Sequence, residues 1–217
     1  MQFASFKHRR YTLPMETSPK TPVVPSHGTS IFERMFDAVE KVKERLERSC
    51  GALENANIPY AIIGGHAVAA WVATVDDGAV RNTRDVDLLL REEDLDRATE
   101  ALTAVGFVRG KVMNVHMFLD GADGKPSQGV YILFAGQKVK ESYVSASPTV
   151  DQSKAIENKR VVELEQLVQM KLNSYRDKDK THLRDMIGVG LVDVSWPAKF
   201  PAELGQRLQE LLDDPDG

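Results

Sequence analysis

YAIIGGHAVAAWVATVDDGAVRNTRDVDLLL, Tyr60–Leu90, is the stretch whose reading decides the fold. It opens with an apolar strand (Tyr60–Ile63), passes through Gly64–Gly65, and continues as a short apolar helix (His66–Ala73). A polar loop then leads to a second strand that begins with Asp85-Val86-Asp87. Alternate residues of a strand point to the same side. Asp85 and Asp87 therefore share one face, and Val86, Leu88 and Leu90 the other. Two neighbouring carboxylates repel unless a cation or a set of donors lies between them. The pair suits a hard divalent ion such as Mg²⁺ or Mn²⁺, bound by oxygens and completed by substrate phosphates.

Working outward, Ser30 followed by Glu33 forms a capping box ahead of a long amphipathic helix. Ile31, Met35, Val39, Val42 and Leu46 form its apolar stripe, expected to pack on the sheet. Downstream of the central stretch, Leu95, Ala98, Leu102 and Val105 trace another helix, with Gly106 as its C-cap. Strand and helix in alternation predict an α/β (α+β) sandwich with a mixed sheet. Val112–Leu119 and Gly129–Phe134 read as a hairpin around DGADGKPSQG, and Lys138–Pro148 as a loop. Glu163–Arg176, Lys180–Leu191 and Ala202–Leu212 read as helices. Residues 1–28 carry Pro14, Pro19, Pro22 and Pro25 and read as a flexible arm, with a possible part in oligomerisation. The main domain is expected over 29–192 and a helical extension over 193–217.

Composition bounds the function. The chain of 217 residues is 28% charged and 42% hydrophobic, ordinary for a soluble domain, and a net charge of −4 leaves no general nucleic-acid footprint. The single Cys50 excludes an internal disulfide and a four-cysteine zinc site and reads as a structural thiol. Neither a membrane span nor a secretory signal is present, so a cytoplasmic protein is expected. The P-loop, zincin and nucleophile-elbow signatures are absent.

Gly64-Gly65-His66-Ala67 followed by Arg81-x-Thr83-x-Asp85-x-Asp87 resembles the nucleotidyltransferase superfamily. Within it, the chain resembles the small bacterial branch of AbiEii-type toxins and minimal nucleotidyltransferases. The resemblance spans residues 58–192. It implies a metal-dependent transfer of a nucleoside monophosphate from an NTP to a hydroxyl of RNA, protein or a small molecule. It also implies that Gly64 and Gly65 let the backbone approach the triphosphate, that Asp85 and Asp87 bind metal, and that Lys171 reaches the phosphates.

Each position has a plainer reading. The glycines could form a tight turn alone. His66 would lie at the nucleotide mouth or simply begin a helix. Arg81, near Thr83, could hold a phosphate, orient a carboxylate, or be solvated. Arg84 alternates away from Asp85. Lys171 interrupts the apolar stripe Leu164, Leu167, Val168, Leu172 and Tyr175, so it either snorkels out or meets an anion inside. Arg176, Lys178 and Asp179 continue that run; Asp179 could be a helix N-cap and Asp185 a surface residue. His116 and His182 read as ordinary.

The resemblance implies a third carboxylate on a later strand, where Tyr131 stands. Two carboxylates could suffice, Asp120 or Asp123 could fill in, or the chain could be a non-catalytic binding module acting through a partner, as in toxin–antitoxin pairs.

Overall fold

The computed structural model describes residues 30–112 and 115–214. The expected arm, residues 1–28, lies outside them. The first helix, Ile31–Asn55 (α1), starts at the expected capping box: the Glu33 N–H donates to Ser30 Oγ at 3.1 Å and the Ser30 N–H to Glu33 Oε2 at 2.6 Å. The central stretch follows as Tyr60–Ile63 (β1), Gly64–Ala73 (α2) and Val86–Leu90 (β2). Leu95–Ala104 (α3) comes next and ends at Gly106, whose φ of +92° suits a residue without Cβ. Then come Phe107–Val112 (β3), Val115–Asp120 (β4) and Val130–Phe134 (β5). Ser153–Ile156 (β6) and Lys159–Val162 (β7) precede Leu164–Ser174 (α4), Asp177–Gly188 (α5) and Ala202–Asp213 (α6).

The seven strands form one mixed sheet in the order β3-β4-β5-β2-β1-β7-β6. β1 runs antiparallel to β2 and parallel to β7, while β2 runs parallel to β5. Every residue of β1 is buried, so both faces of the sheet centre are covered. That burial explains why its strands read as near-continuous apolar runs. α1 packs with α3, whereas α2, α4, α5 and α6 pack with one another. Leu204, Leu208 and Leu211 of α6 join the same core as the sheet.

Three expectations are revised. The hairpin expected between Val112–Leu119 and Gly129–Phe134 forms as β4 and β5, but its first strand starts at Val115, and a further strand, β3, ends at Val112 and pairs antiparallel with β4. The β6–β7 hairpin had no expected counterpart. It turns on Glu157 and Asn158, both at positive φ (46° and 64°), the geometry of a two-residue primed turn. α1 packs only through its C-terminal half: Ile31, Met35 and Val39 are exposed, and the buried positions begin at Arg45. Cys50 is buried beside Tyr60, and burial pushes its thiol up to about 11, as befits a structural residue.

Candidate nucleotide-binding site

Strand register builds the centre of the site. Ile63, the last residue of β1, lies opposite Asp87 of β2, so Gly64 falls beside the Asp87 carboxylate. A Cβ on Gly64, whose φ is +69°, would overlap that carboxylate. A Cβ on Gly65 would come within 2.6 Å of Thr83 Oγ1. Both glycines thus permit a close approach that no other residue allows. α2 starts at Gly64, earlier than expected, and no side chain caps its N-terminus. Its first-turn N–H groups and positive dipole end lie next to Asp87, an arrangement that favours anions.

These residues line a cavity of about 760 Å³, the size of a small-molecule site. β2 begins at Val86, one residue after Asp85, yet Asp85 and Asp87 both reach the cavity. Thr83 and Arg84 also line it; because residue 84 precedes the strand, the alternation expected to turn Arg84 away does not apply. The lining also includes Lys171, Ser174, Arg176, Lys178 and Asp179 from α4, α5 and their junction. The Lys178 ammonium is 4.0 Å from Asp85 Oδ2.

Electrostatics separates the two aspartates. Burial raises Asp87 from 3.8 to about 6, against the pull of Lys171 and with a push from Asp85. Asp87 receives no side-chain hydrogen bond among the described residues, and Lys171, Lys178 and Arg176 act on it through space. A bound cation would supply the missing compensation.

Lys171 is buried and meets an anion inside the fold, which is Asp179: Nζ lies 3.3 Å from Oδ1. Asp179 also accepts from Ser174 Oγ at 2.6 Å and Arg176 Nε at 2.7 Å. Burial pushes this carboxylate up, but Arg176, Lys171 and Ser174 outweigh it and hold it at about 2. Asp179 occupies the third position of α5 rather than its N-cap, and accepts the Arg176 backbone N–H at 3.3 Å. The cluster ties α4 to α5 and leaves the Lys171 charge within range of Asp87.

Several sequence expectations are not met. Arg81 does not line the cavity: its guanidinium forks onto Asp185 of α5 at 2.9 and 3.0 Å, which also removes Asp185 from the plain surface. His66 lies outside the cavity lining, with burial lowering it to about 4 and its Nε2 lacking a partner among the described residues. Asp120 pairs with Arg45 and Arg48, and neither it nor Asp123 reaches the cavity. Tyr131 of β5 pairs in register with Asp87, so it does stand on the neighbouring strand at the site. Its hydroxyl donates to the Pro126 carbonyl at 2.7 Å.

Conversely, His182, read as ordinary, lines the cavity, and burial lowers it to about 4, so it is neutral at pH 7. Tyr143 and Lys140, read as loop, line it too, with the Lys140 ammonium 5.8 Å from the Tyr143 ring centre. Lys171 within its apolar stripe, and Arg176 and Lys178 just after it, were the sequence signals for this cationic cluster.

No family model matches the sequence, and no curated protein does. Among solved structures, an antigenic nucleotidyltransferase-like protein from Paracoccidioides brasiliensis aligns with 82% of this chain and 90% of its own, at 18% identity and a TM-score of 0.50. JHP933 from Helicobacter pylori aligns over 82% and 75%, at 15% identity and a TM-score of 0.48. The antibiotic-resistance factor ANT(2'')-Ia aligns over 79% and 92%, at 14% identity and a TM-score of 0.47. The first of these likenesses shows the fold: a nucleotidyltransferase-like mixed sheet flanked by helices. Among the described residues, no helix is long and apolar enough to cross a membrane.

Proposed function

We propose that the chain is a metal-dependent nucleotidyltransferase of the small bacterial, AbiEii-related type. The observation that carries this reading is that Asp85, Asp87 and the Gly64–Gly65 turn line the same cavity as Lys171, Arg176 and Lys178. An anionic pair beside a cationic cluster suits a metal-bound triphosphate.

The donor set fits one hard cation. Mg²⁺ commonly takes one or two carboxylates and completes its shell with phosphate oxygens and water. A second ion lacks its own ligands: no group of three acidic, histidine or cysteine ligands forms among the described residues, and Tyr131 is no carboxylate. When bound, the cation would neutralise developing charge at the transferred phosphoryl group. The backbone N–H groups at Gly64 and Gly65 would hold phosphate oxygens. Lys171, locked by Asp179, would offset charge without moving, since a fixed charge needs no reorganisation during the reaction. The acceptor hydroxyl would lose its proton to solvent water as its oxygen bonds to the α-phosphorus, the bond from the α-phosphorus to the bridging β-phosphate oxygen breaks, and pyrophosphate leaves.

Calorimetric titration of each NTP with Mg²⁺ tests the site, with Asp85→Ala/Asp87→Ala as control and pyrophosphate release measured alongside. Binding abolished in the double variant supports the proposal. No binding of any NTP to the natural chain refutes it.

The register of Tyr131 beside Asp87 favours a second reading, a module that binds nucleotide without turnover and acts through a partner. Nucleotide binding without pyrophosphate release across RNA, protein and small-molecule acceptors would select it. Under this reading Tyr131→Asp should raise pyrophosphate release; no gain in that variant would count against the missing carboxylate as the cause.

A further inference from the structure

α1 has two halves with different surroundings. Phe32, Met35, Val39, Val42, Leu46, Ser49 and Leu53 follow one another at alternating steps of three and four residues. That spacing is the seam by which one helix packs against others. From Val42 onward the seam is covered by the protein's own core. Ahead of it, Ile31, Phe32, Met35, Phe36 and Val39 are between 42 and 72% exposed. These five form one contiguous patch, because residues three and four apart are neighbours on a helix. The capping box fixes the helix start at Ser30, so the exposed segment is a defined helix end. Such a segment is marginal in water without a packed face.

Three occupants compete for the patch. A lipid surface would favour a basic polar face. Between residues 31 and 44 that face carries Glu33, Asp37, Glu40 and Glu44 against Arg34, Lys41 and Lys43, an excess of acid that an anionic bilayer repels. Residues 14–25 of this chain, with Pro14, Pro19, Pro22 and Pro25, carry too many prolines to supply a matching helical seam. A second copy supplies the same seam and both signs of charge beside it. Twofold pairing of one patch with itself is the commonest way soluble chains associate. Each copy exposes on the order of 600 Å² in these side chains, so full burial of both patches would reach about 1,200 Å², the lower bound for a stable interface.

We propose that the chain forms a homodimer in which the N-terminal halves of two α1 helices pack face to face through Phe32, Met35, Phe36 and Val39. The interface lies apart from the nucleotide cavity, whose lining includes no α1 residue.

The test uses the full chain. Light scattering on a sizing column should give twice the 24.1 kDa chain mass. Phe32→Glu/Phe36→Glu, which alters two exposed side chains and leaves the core intact, should weaken association at least ~100-fold with an unchanged circular dichroism spectrum. Because Cys50 is buried, single cysteines introduced as Met35→Cys and Phe36→Cys report proximity: a short bis-maleimide should join two copies at one or both. A monomer at concentrations up to about 100 µM overturns the proposal. So does a dimer that the double substitution leaves unchanged, or one that neither cysteine cross-links. A monomer that sediments with phosphatidylcholine vesicles overturns it in favour of lipid.

Discussion

Asp87 is the position at which stability and ligand binding should trade against each other. Burial raises its carboxyl from 3.8 to about 6, so the ionised form is penalised in the folded chain. A displacement of that size corresponds to at most ~3 kcal/mol, and the residue's partial solvent contact reduces this to about 2 kcal/mol. The sign follows from linkage. A group whose folded pKa is raised favours the fold when protonated; its contribution is complete below 3.8 and lost as pH rises through about 6. Above that pH the charged carboxylate is a liability that Asp87→Asn removes. The variant should therefore be more stable than the natural chain at about pH 7.5, by about 2 kcal/mol or roughly 5 °C in Tm for a chain of this size. At about pH 4 the difference should nearly vanish. Thermal denaturation followed by circular dichroism, without divalent ions, measures both. If Asp87 holds the metal as proposed, adding Mg²⁺ and NTP should then raise the Tm of the natural chain alone. Equal or lower stability of Asp87→Asn at the higher pH, or the same gain at both pH values, would refute the argument.

Other expectations follow from the same geometry. Mg²⁺-dependent NTP affinity, measured by calorimetry, should fall as pH drops through about 6 and Asp87 gains its proton, approaching tenfold per pH unit below that. Gly64→Ala places a Cβ into the Asp87 carboxylate at a φ of +69°, so NTP binding should be lost and stability should drop by about 1–2 kcal/mol in a denaturant titration. Arg81→Ala removes a guanidinium that is 59% exposed and pairs with Asp185 outside the cavity. It should cost less than ~1 kcal/mol and leave NTP affinity within about twofold, whereas a phosphate-binding arginine would lose far more.

Local chemistry made much of the fold and part of the site legible. The Ser30–Glu33 box and Gly106 marked helix ends through hydrogen bonds and a φ available within a few residues. The β6–β7 hairpin escaped notice because its turn is Glu157-Asn158 and lacks the glycine that usually announces a primed turn. Arg81 misled because a guanidinium two residues before Thr83 is equally suited to a phosphate or a carboxylate. Its actual partner, Asp185, is 104 positions away. His66 misled similarly, since sequence adjacency to the glycines does not say which way the third residue of a helix points.

By itself the sequence determined the β1–glycine–α2–β2 unit and the Asp87 position within it, because strand periodicity is a local property of the backbone; Asp85 precedes β2, so its place beside Asp87 at the cavity was settled by the tertiary structure. The sequence also marked Lys171 as an ionisable group inside an apolar stripe. Only the tertiary structure decided that Asp179 is the anion Lys171 meets, that Tyr131 stands in register with Asp87, and that α1 leaves half its seam uncovered. Pairing across strands and burial of charge depend on which distant segments converge, and no periodicity within a segment encodes that choice.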